Sequence, residues 1–172
     1  FSKLPVFDPS SPEEAYEMVE AAFACSEEYK TPVLLRPTTR VCHGCASIEV
    51  KEGGERETPK GFVKDTGRWV IFPRLSYQNH KKIEARNEEL SRRFSESPFN
   101  WMEGRKEEKG KGIAAGGVSY AYVKESLPGG IPLLKIGTPH PFPEELAVRF
   151  LEGLSEVLVL EELDPVIEKE LL

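Results

Sequence analysis

From residue 112 onward, short apolar runs alternate with segments of helical periodicity, and this alternation restricts the chain to an α/β architecture. Gly112-Ile113-Ala114-Ala115 reads as a strand, and Gly116-Gly117 as the tight turn after it. A helix is predicted over 120–127, stopped by Pro128-Gly129-Gly130. Leu133-Leu134-Lys135-Ile136 is the second strand. Pro143 opens another helix, with Leu146, Phe150 and Leu151 directed inward. Val157-Leu158-Val159-Leu160 is the third strand, and Asp164 is placed to cap a last helix with Pro165 at its first position. Strands that alternate with helices make a mostly parallel sheet with both faces covered, so a three-layer α/β domain is expected. No internal repeat is visible.

The other end carries the sharpest local signal. In Ser11-Pro12-Glu13-Glu14 the serine can cap, the proline suits the first helical position and Glu14 completes a capping box. Ala15, Met18, Val19, Ala22 and Phe23 follow at helical spacing as one buried stripe, and the helix is predicted to end near Tyr29. Val33-Leu34-Leu35-Arg36, between two prolines, reads as a buried strand. One helix and one strand cannot make a domain, so this opening unit is expected to belong to a sheet lying upstream. The chain opens on Phe1 and stops at Leu171-Leu172 inside a predicted helix, and the expectation is a piece cut from a longer polypeptide.

The middle is less patterned. Gly53-Gly54, Pro59, Gly61 and Gly67 mark turns, with one short strand expected around 68–72. A polar helix is predicted over 77–95, with a narrow stripe of Ile83, Leu90 and Phe94. The basic residues over 74–93 are interleaved with Glu84, Glu88 and Glu89, which reads as a mixed solvated face. Residues 103–111 read as a charged, mobile loop.

A net charge of −6 makes the chain a poor partner for nucleic acid or anionic lipid, which need basic surface. No apolar run approaches the roughly 20 residues of a membrane span. Three cysteines are an odd number and do not form a secreted disulfide framework, so a reducing cytoplasm is expected.

Few constellations carry chemistry. Cys42-His43-Gly44-Cys45 is a single C-x-x-C, and the one other cysteine, Cys25, lies in the first helix. A structural zinc site needs four ligands, so no metal site is expected. Gly117-Val118-Ser119-Tyr120-Ala121 has the setting of a nucleophile elbow, but His140 and the acids Glu161 and Glu162 follow in the wrong order. Ser119 as a helix cap is the plainer reading, and a phosphate at that helix start is the functional one. Glu161-Glu162 ends a strand at the carboxyl edge, where sites often form. Arg36, Thr38, Thr39, Arg40 and His43 make a polar cluster after the buried strand, and within it Thr39, Arg40 and His43 are the candidates for contact with substrate or cofactor.

Three stretches together resemble the alpha subunits of indolepyruvate ferredoxin oxidoreductases, within the 2-oxoacid:ferredoxin oxidoreductase family. The first runs from Leu4-Pro5-Val6 through Ser11-Pro12-Glu13-Glu14 to Arg36-Pro37-Thr38-Thr39-Arg40-Val41-Cys42-His43. The second begins at Gly112-Ile113-Ala114-Ala115-Gly116-Gly117 and ends at Lys124-Glu125. The third is Leu133-Leu134-Lys135-Ile136-Gly137 with Pro139-His140-Pro141-Phe142-Pro143, then Val157-Leu158-Val159-Leu160-Glu161-Glu162. The resemblance implies that residues 1–45 are the end of a thiamine pyrimidine-binding domain. Residues 46–110 are then a connector with a polar helix, and residues 111–172 the core of a domain similar to the C-terminal domain of transketolase. It also implies oxidative decarboxylation of arylpyruvates to acyl-CoA, with ferredoxin as electron acceptor. Thiamine diphosphate, Mg and [4Fe-4S] clusters would be bound elsewhere in the parent, with none on this segment and no catalytic residue within it. The beta subunit and other domains of the alpha subunit would be its neighbours. Cys42 stands where the family often has serine. The rival expectation is a free-standing α/β binding or assembly module. An excised piece should expose an apolar helix face around Met18, Val19 and Phe23, whereas a self-contained module should bury it.

Overall fold

The computed structural model describes residues 2–53, 61–104, 110–127 and 129–172. In chain order the elements are β1 (Val6–Phe7), α1 (Pro12–Tyr29), β2 (Leu34–Leu35), α2 (Thr39–His43), α3 (Thr66–Trp69) and α4 (Pro73–Phe94). They continue with β3 (Trp101–Glu103), β4 (Gly110–Gly116), α5 (Gly117–Ser126), β5 (Leu133–Ile136), α6 (Glu144–Leu151), β6 (Leu154–Leu160) and α7 (Val166–Leu171).

The four-stranded sheet has the order β3-β5-β4-β6. β4 runs parallel to both neighbours, with Ile113 opposite Leu133 on one side and Leu158 on the other. β3 is antiparallel to β5 and places Trp101 beside Lys135. Because side chains alternate along a strand, Ala114, Leu134 and Ile136 face one layer, where Phe150 of α6 and Ile167 of α7 cover them. Ile113, Ala115 and Leu133 face the other, under Val123 of α5. The expected three layers are therefore present. Fully burying a side chain such as Phe150 stabilises the fold by about 1.5–3 kcal/mol.

β1 and β2 form a separate two-stranded parallel sheet, with Val6 opposite Leu34. The predicted strand over 33–36 thus does not enter the sheet that contains 157–160. α1 is the crossover between β1 and β2. It starts as its sequence requires: Ser11 is the N-cap and accepts from the Glu14 amide at 3.2 Å, while Glu14 takes the Ser10 amide at 2.7 Å. Lys30 ends the helix in the left-handed region.

The stripe on α1 is split. Met18, Ala22 and Cys25 are buried against Phe7, Leu90, Phe94 and Phe99, so α4 covers half of the helix. Val19 and Phe23 are exposed, at 41% and 71%, and with Val33 and Leu35 they line an open apolar groove. The expectation of an exposed face holds for Val19 and Phe23 and fails for Met18, because the polar helix supplies its partners.

The small sheet is tied to the large one through β1. Val6 donates to the carbonyl of His140, and Asp8 to that of Gly137, each at 2.7 Å. Asn100 clamps the same segment. Its Oδ1 accepts from the amides of Gly137 and Thr138, and its Nδ2 donates to the Phe94 carbonyl and Thr138 Oγ1. A Cβ on Gly137 would lie 2.5 Å from the Phe99 carbonyl oxygen, so only glycine permits this approach.

Several local expectations are corrected. No strand forms over 68–72: residues 68 and 69 close a helical turn, α3, capped by Asp65 through the Gly67 amide at 2.9 Å, and 70–72 are irregular. α4 starts at Pro73, a full turn before residue 77, because proline suits a first helical turn. β1, β3 and α2 were not predicted. α5 begins at Gly117 and its N-cap is Gly116 with no side-chain cap, so Ser119 does not cap it. Gly54, Pro59, Pro128 and residues 105–109 of the charged loop lie outside the described residues.

Candidate binding site at the carboxyl edge of the sheet

Asp8 follows β1, Arg36 follows β2, Gly116 ends β4, Pro139 follows β5 and Glu161 follows β6. These residues come together around a small crevice of about 20 Å³. The chain leaves β4 toward α5 on one face and leaves β6 toward α7 on the other. Neighbouring strands whose connections diverge to opposite faces open a crevice at their carboxyl ends, the usual ligand position in open α/β sheets.

Asp8 is buried at 4% exposure, and Arg36 Nη2 donates to its Oδ2 at 2.7 Å. Its Oδ1 is buried without any hydrogen-bond partner among the described residues. Burial pushes the Asp8 carboxyl above its ordinary range, and Arg36 only partly opposes that. Gly117, at φ +51°, passes directly over the carboxyl: a Cβ there would sit 3.2 Å from Oδ2 and 3.4 Å from Oδ1. The same carboxylate makes the start of α5 a poor seat for phosphate.

Glu161 is committed elsewhere. Its carboxylate accepts from the amides of Val166, Ile167 and Glu168 at 2.8–3.1 Å, and so it caps α7, the role expected of Asp164. No hydrogen bond among the described residues joins Ser119 to His140 or to either glutamate, which leaves the nucleophile elbow without a geometry.

Behind the crevice lies a buried cation. Lys135 on β5 has a fully buried side chain and pairs with Glu14, which still holds Ser10 at the start of α1. Its ammonium also donates to the Phe99 carbonyl at 3.1 Å and lies 4.9 Å from the Trp101 ring. Burial pushes the Lys135 ammonium down, and Glu14 opposes the shift. Breaking such a pair by removing one partner leaves a buried charge uncompensated.

The residues singled out for substrate or cofactor contact lie apart from this. Thr39, Arg40 and His43 are all on exposed positions of α2, where Val41 is the buried residue. Arg40 lies over the Tyr122 ring at 5.6 Å, and so docks α2 on α5. Cys25 is buried, while Cys42 and Cys45 are exposed. Among the described residues, no group of three or more His, Cys, Asp or Glu side chains could hold a metal ion. No described helix is long and apolar enough to cross a membrane. Asp8 and Lys135 escaped sequence reading as site residues. Their signals were an acid closing the run Pro5-Val6-Phe7 and a lysine inside an apolar strand.

No protein-family model matches the chain. Curated relatives do. The indolepyruvate oxidoreductase subunit IorA of Thermococcus kodakarensis is 41% identical over 180 residues, 99% of this chain and 28% of the relative. The IorA subunit of Methanothermobacter thermautotrophicus is 41% identical over 173 residues, 98% of this chain and 28% of its own length. The Archaeoglobus fulgidus subunit is 33% identical over 171 residues, covering 97% of this chain and 27% of that protein. The chain thus spans just over a quarter of the length of the curated relatives it matches. Matched almost from end to end, it belongs as a segment to the family of indolepyruvate oxidoreductase subunits IorA.

Proposed function

We propose that the chain serves as a structural and assembly segment of a larger oxidoreductase subunit. The observation that carries this reading is the groove of Val19, Phe23, Val33 and Leu35. There an apolar helix face and the edge strand β2 stand open, while the central strands β4 and β5 of the four-stranded sheet are covered on both faces and Leu158 on its edge strand β6 is exposed. A parallel strand laid on β2 would continue the sheet and bury Phe23, which suits residues 1–45 as the end of a thiamine pyrimidine-binding domain. Residues 46–110 then act as the connector, which also lends β3 to the four-stranded sheet, and residues 111–172 as a domain similar to the transketolase C-terminal domain.

The names of the relatives support the parent reaction: oxidation of indolepyruvate, here read as oxidative decarboxylation of arylpyruvates to acyl-CoA with ferredoxin as acceptor. Thiamine diphosphate, Mg and [4Fe-4S] clusters belong in this reading to other parts of a cytoplasmic complex, since the described cysteines and acids do not fit a metal or cluster. Thr39, Arg40 and His43, exposed on α2, are the residues of this segment nearest to substrate or cofactor. The other domains of the subunit, the beta subunit, ferredoxin and coenzyme A are the proposed partners.

The test is arylpyruvate- and CoA-dependent reduction of ferredoxin, measured on the assembled complex of full-length subunits and on this chain alone. Activity in the complex and none in the chain is expected. A full-length complex that binds thiamine diphosphate yet leaves arylpyruvates untouched would remove the reading.

A further inference from the structure

The geometry points to the crevice between the carboxyl ends of β4 and β6 as a site for a zwitterionic amino acid, with Asp8 taking the ammonium and Arg36 the carboxylate. The inference rests on the crevice itself and does not depend on the parent reaction.

The first ground is the orphan acceptor. Asp8 Oδ1 is buried and lacks a donor, while its twin oxygen is held by Arg36. A buried charged oxygen left unpaired is costly, so the site is built for a donor that the described residues do not supply. The second ground is size. A space of about 20 Å³ admits one water-sized group. A primary ammonium has that size and brings three donors. Glycine at 117 keeps the space open, since a Cβ there would press on both carboxyl oxygens.

The third ground is charge. Glu162 and Asp164 line the mouth, and Glu161 already serves α7. With Asp8 these acids outnumber Arg36 and the buried Lys135 behind the crevice, which favours a positive group at the bottom and repels a simple anion. A metal ion is not the match, because no set of three ligating side chains converges among the described residues.

The last ground fixes the other end of the ligand. The Arg36 side chain lines the crevice, is 56% exposed and contributes Nη2 to Asp8, which leaves further guanidinium donors for a ligand. Such a fork matches a carboxylate in bidentate geometry. An acceptor for ammonium beside a fork for carboxylate is the recognition pattern for an α-amino acid.

The test is calorimetric titration of the full-length subunit with glycine, L-alanine and L-phenylalanine, and with methylamine and acetate as half-ligands. An amino acid is expected to bind at least about tenfold tighter than either half-ligand, the loss of one charge-assisted contact. Arg36→Gln should weaken the amino acid by about tenfold while leaving methylamine unchanged. Asp8→Asn should abolish both, with its melting temperature as the check on folding. Should that variant fail to fold, the Arg36→Gln comparison and the half-ligands decide. Acetate binding as well as the amino acids would overturn the proposal, as would no heat from any probe up to about 10 mM, which would mean that the crevice holds water only.

Discussion

The two sheets of this molecule differ in completeness, although both are parallel α/β units. The central strands of the four-stranded sheet are sandwiched, with Phe150 and Ile167 on one face and Val123 on the other, and Leu158 on the edge strand β6 stays exposed. The β1–β2 pair is covered on one side of α1 only, and Val19, Phe23 and Leu34 remain at the surface. Apolar side chains of the same kind therefore contribute very differently. Hydrophobic stabilisation scales with area removed from water, and Phe23 has kept most of its area.

Mutation can break or sharpen this contrast. Phe150→Ala should have the largest effect, a loss of about 3–5 kcal/mol in denaturant-induced unfolding, because it empties the centre of the complete sheet. Glu14→Gln comes next: it strands the buried Lys135 ammonium between the two units, and about 3 kcal/mol is expected to be lost. A Lys135→Met, Glu14→Gln double variant should recover most of that loss, and no recovery would show that the pair does not couple the units.

Asn100→Ala removes the clamp on Gly137 and Thr138 and should cost about 2–3 kcal/mol, read as a lower denaturant midpoint at unchanged slope. A smaller effect is expected from pH. Burial, with Lys3 and Arg86 nearby, holds His140 below its ordinary 6.5. The folded state thus binds this proton more weakly than the unfolded chain, and stability falls as pH drops below 6.5 toward the folded value. His140→Gln should flatten that limb of the pH–stability curve. An identical acid limb in the variant would mean that the junction is not titrating.

Phe23→Ser should do least, with a change within about 0.5 kcal/mol in this chain. In the full-length subunit the same change should lower stability or assembly measurably. An equal null in both would show that nothing covers the groove.

What could be read from sequence was local. Ser11-Pro12-Glu13-Glu14 carries its own capping information, and α1 begins where that motif requires. β4, β5 and β6 are apolar enough to declare themselves. β1 is two residues long and acquires its identity from Leu34 and His140, partners far away in sequence. Residues 68–72 carry β-forming side chains, yet Asp65 caps a turn at their start, and local hydrogen bonding won. The polar-looking α4 concealed its role because only Leu90 and Phe94 of its 22 residues are deeply buried. The crevice was half legible. Arg36 and Glu161 stood out as polar residues at strand ends, but Asp8 becomes a site residue only when β1 is laid beside Gly137.

The bonds from Val6 to His140 and from Asp8 to Gly137 also bear on how the polypeptide matures. On a ribosome delivering about 5–20 residues per second, the opening strand emerges many seconds before its acceptors exist. Until then, among the described residues, Val6 and Phe7 have only Leu34 and Leu35 for pairing, too little for a stable ladder by themselves. The amino-terminal unit is thus held in waiting during synthesis, and nascent-chain proteolysis should find it protected only after residue 140 has cleared the exit tunnel.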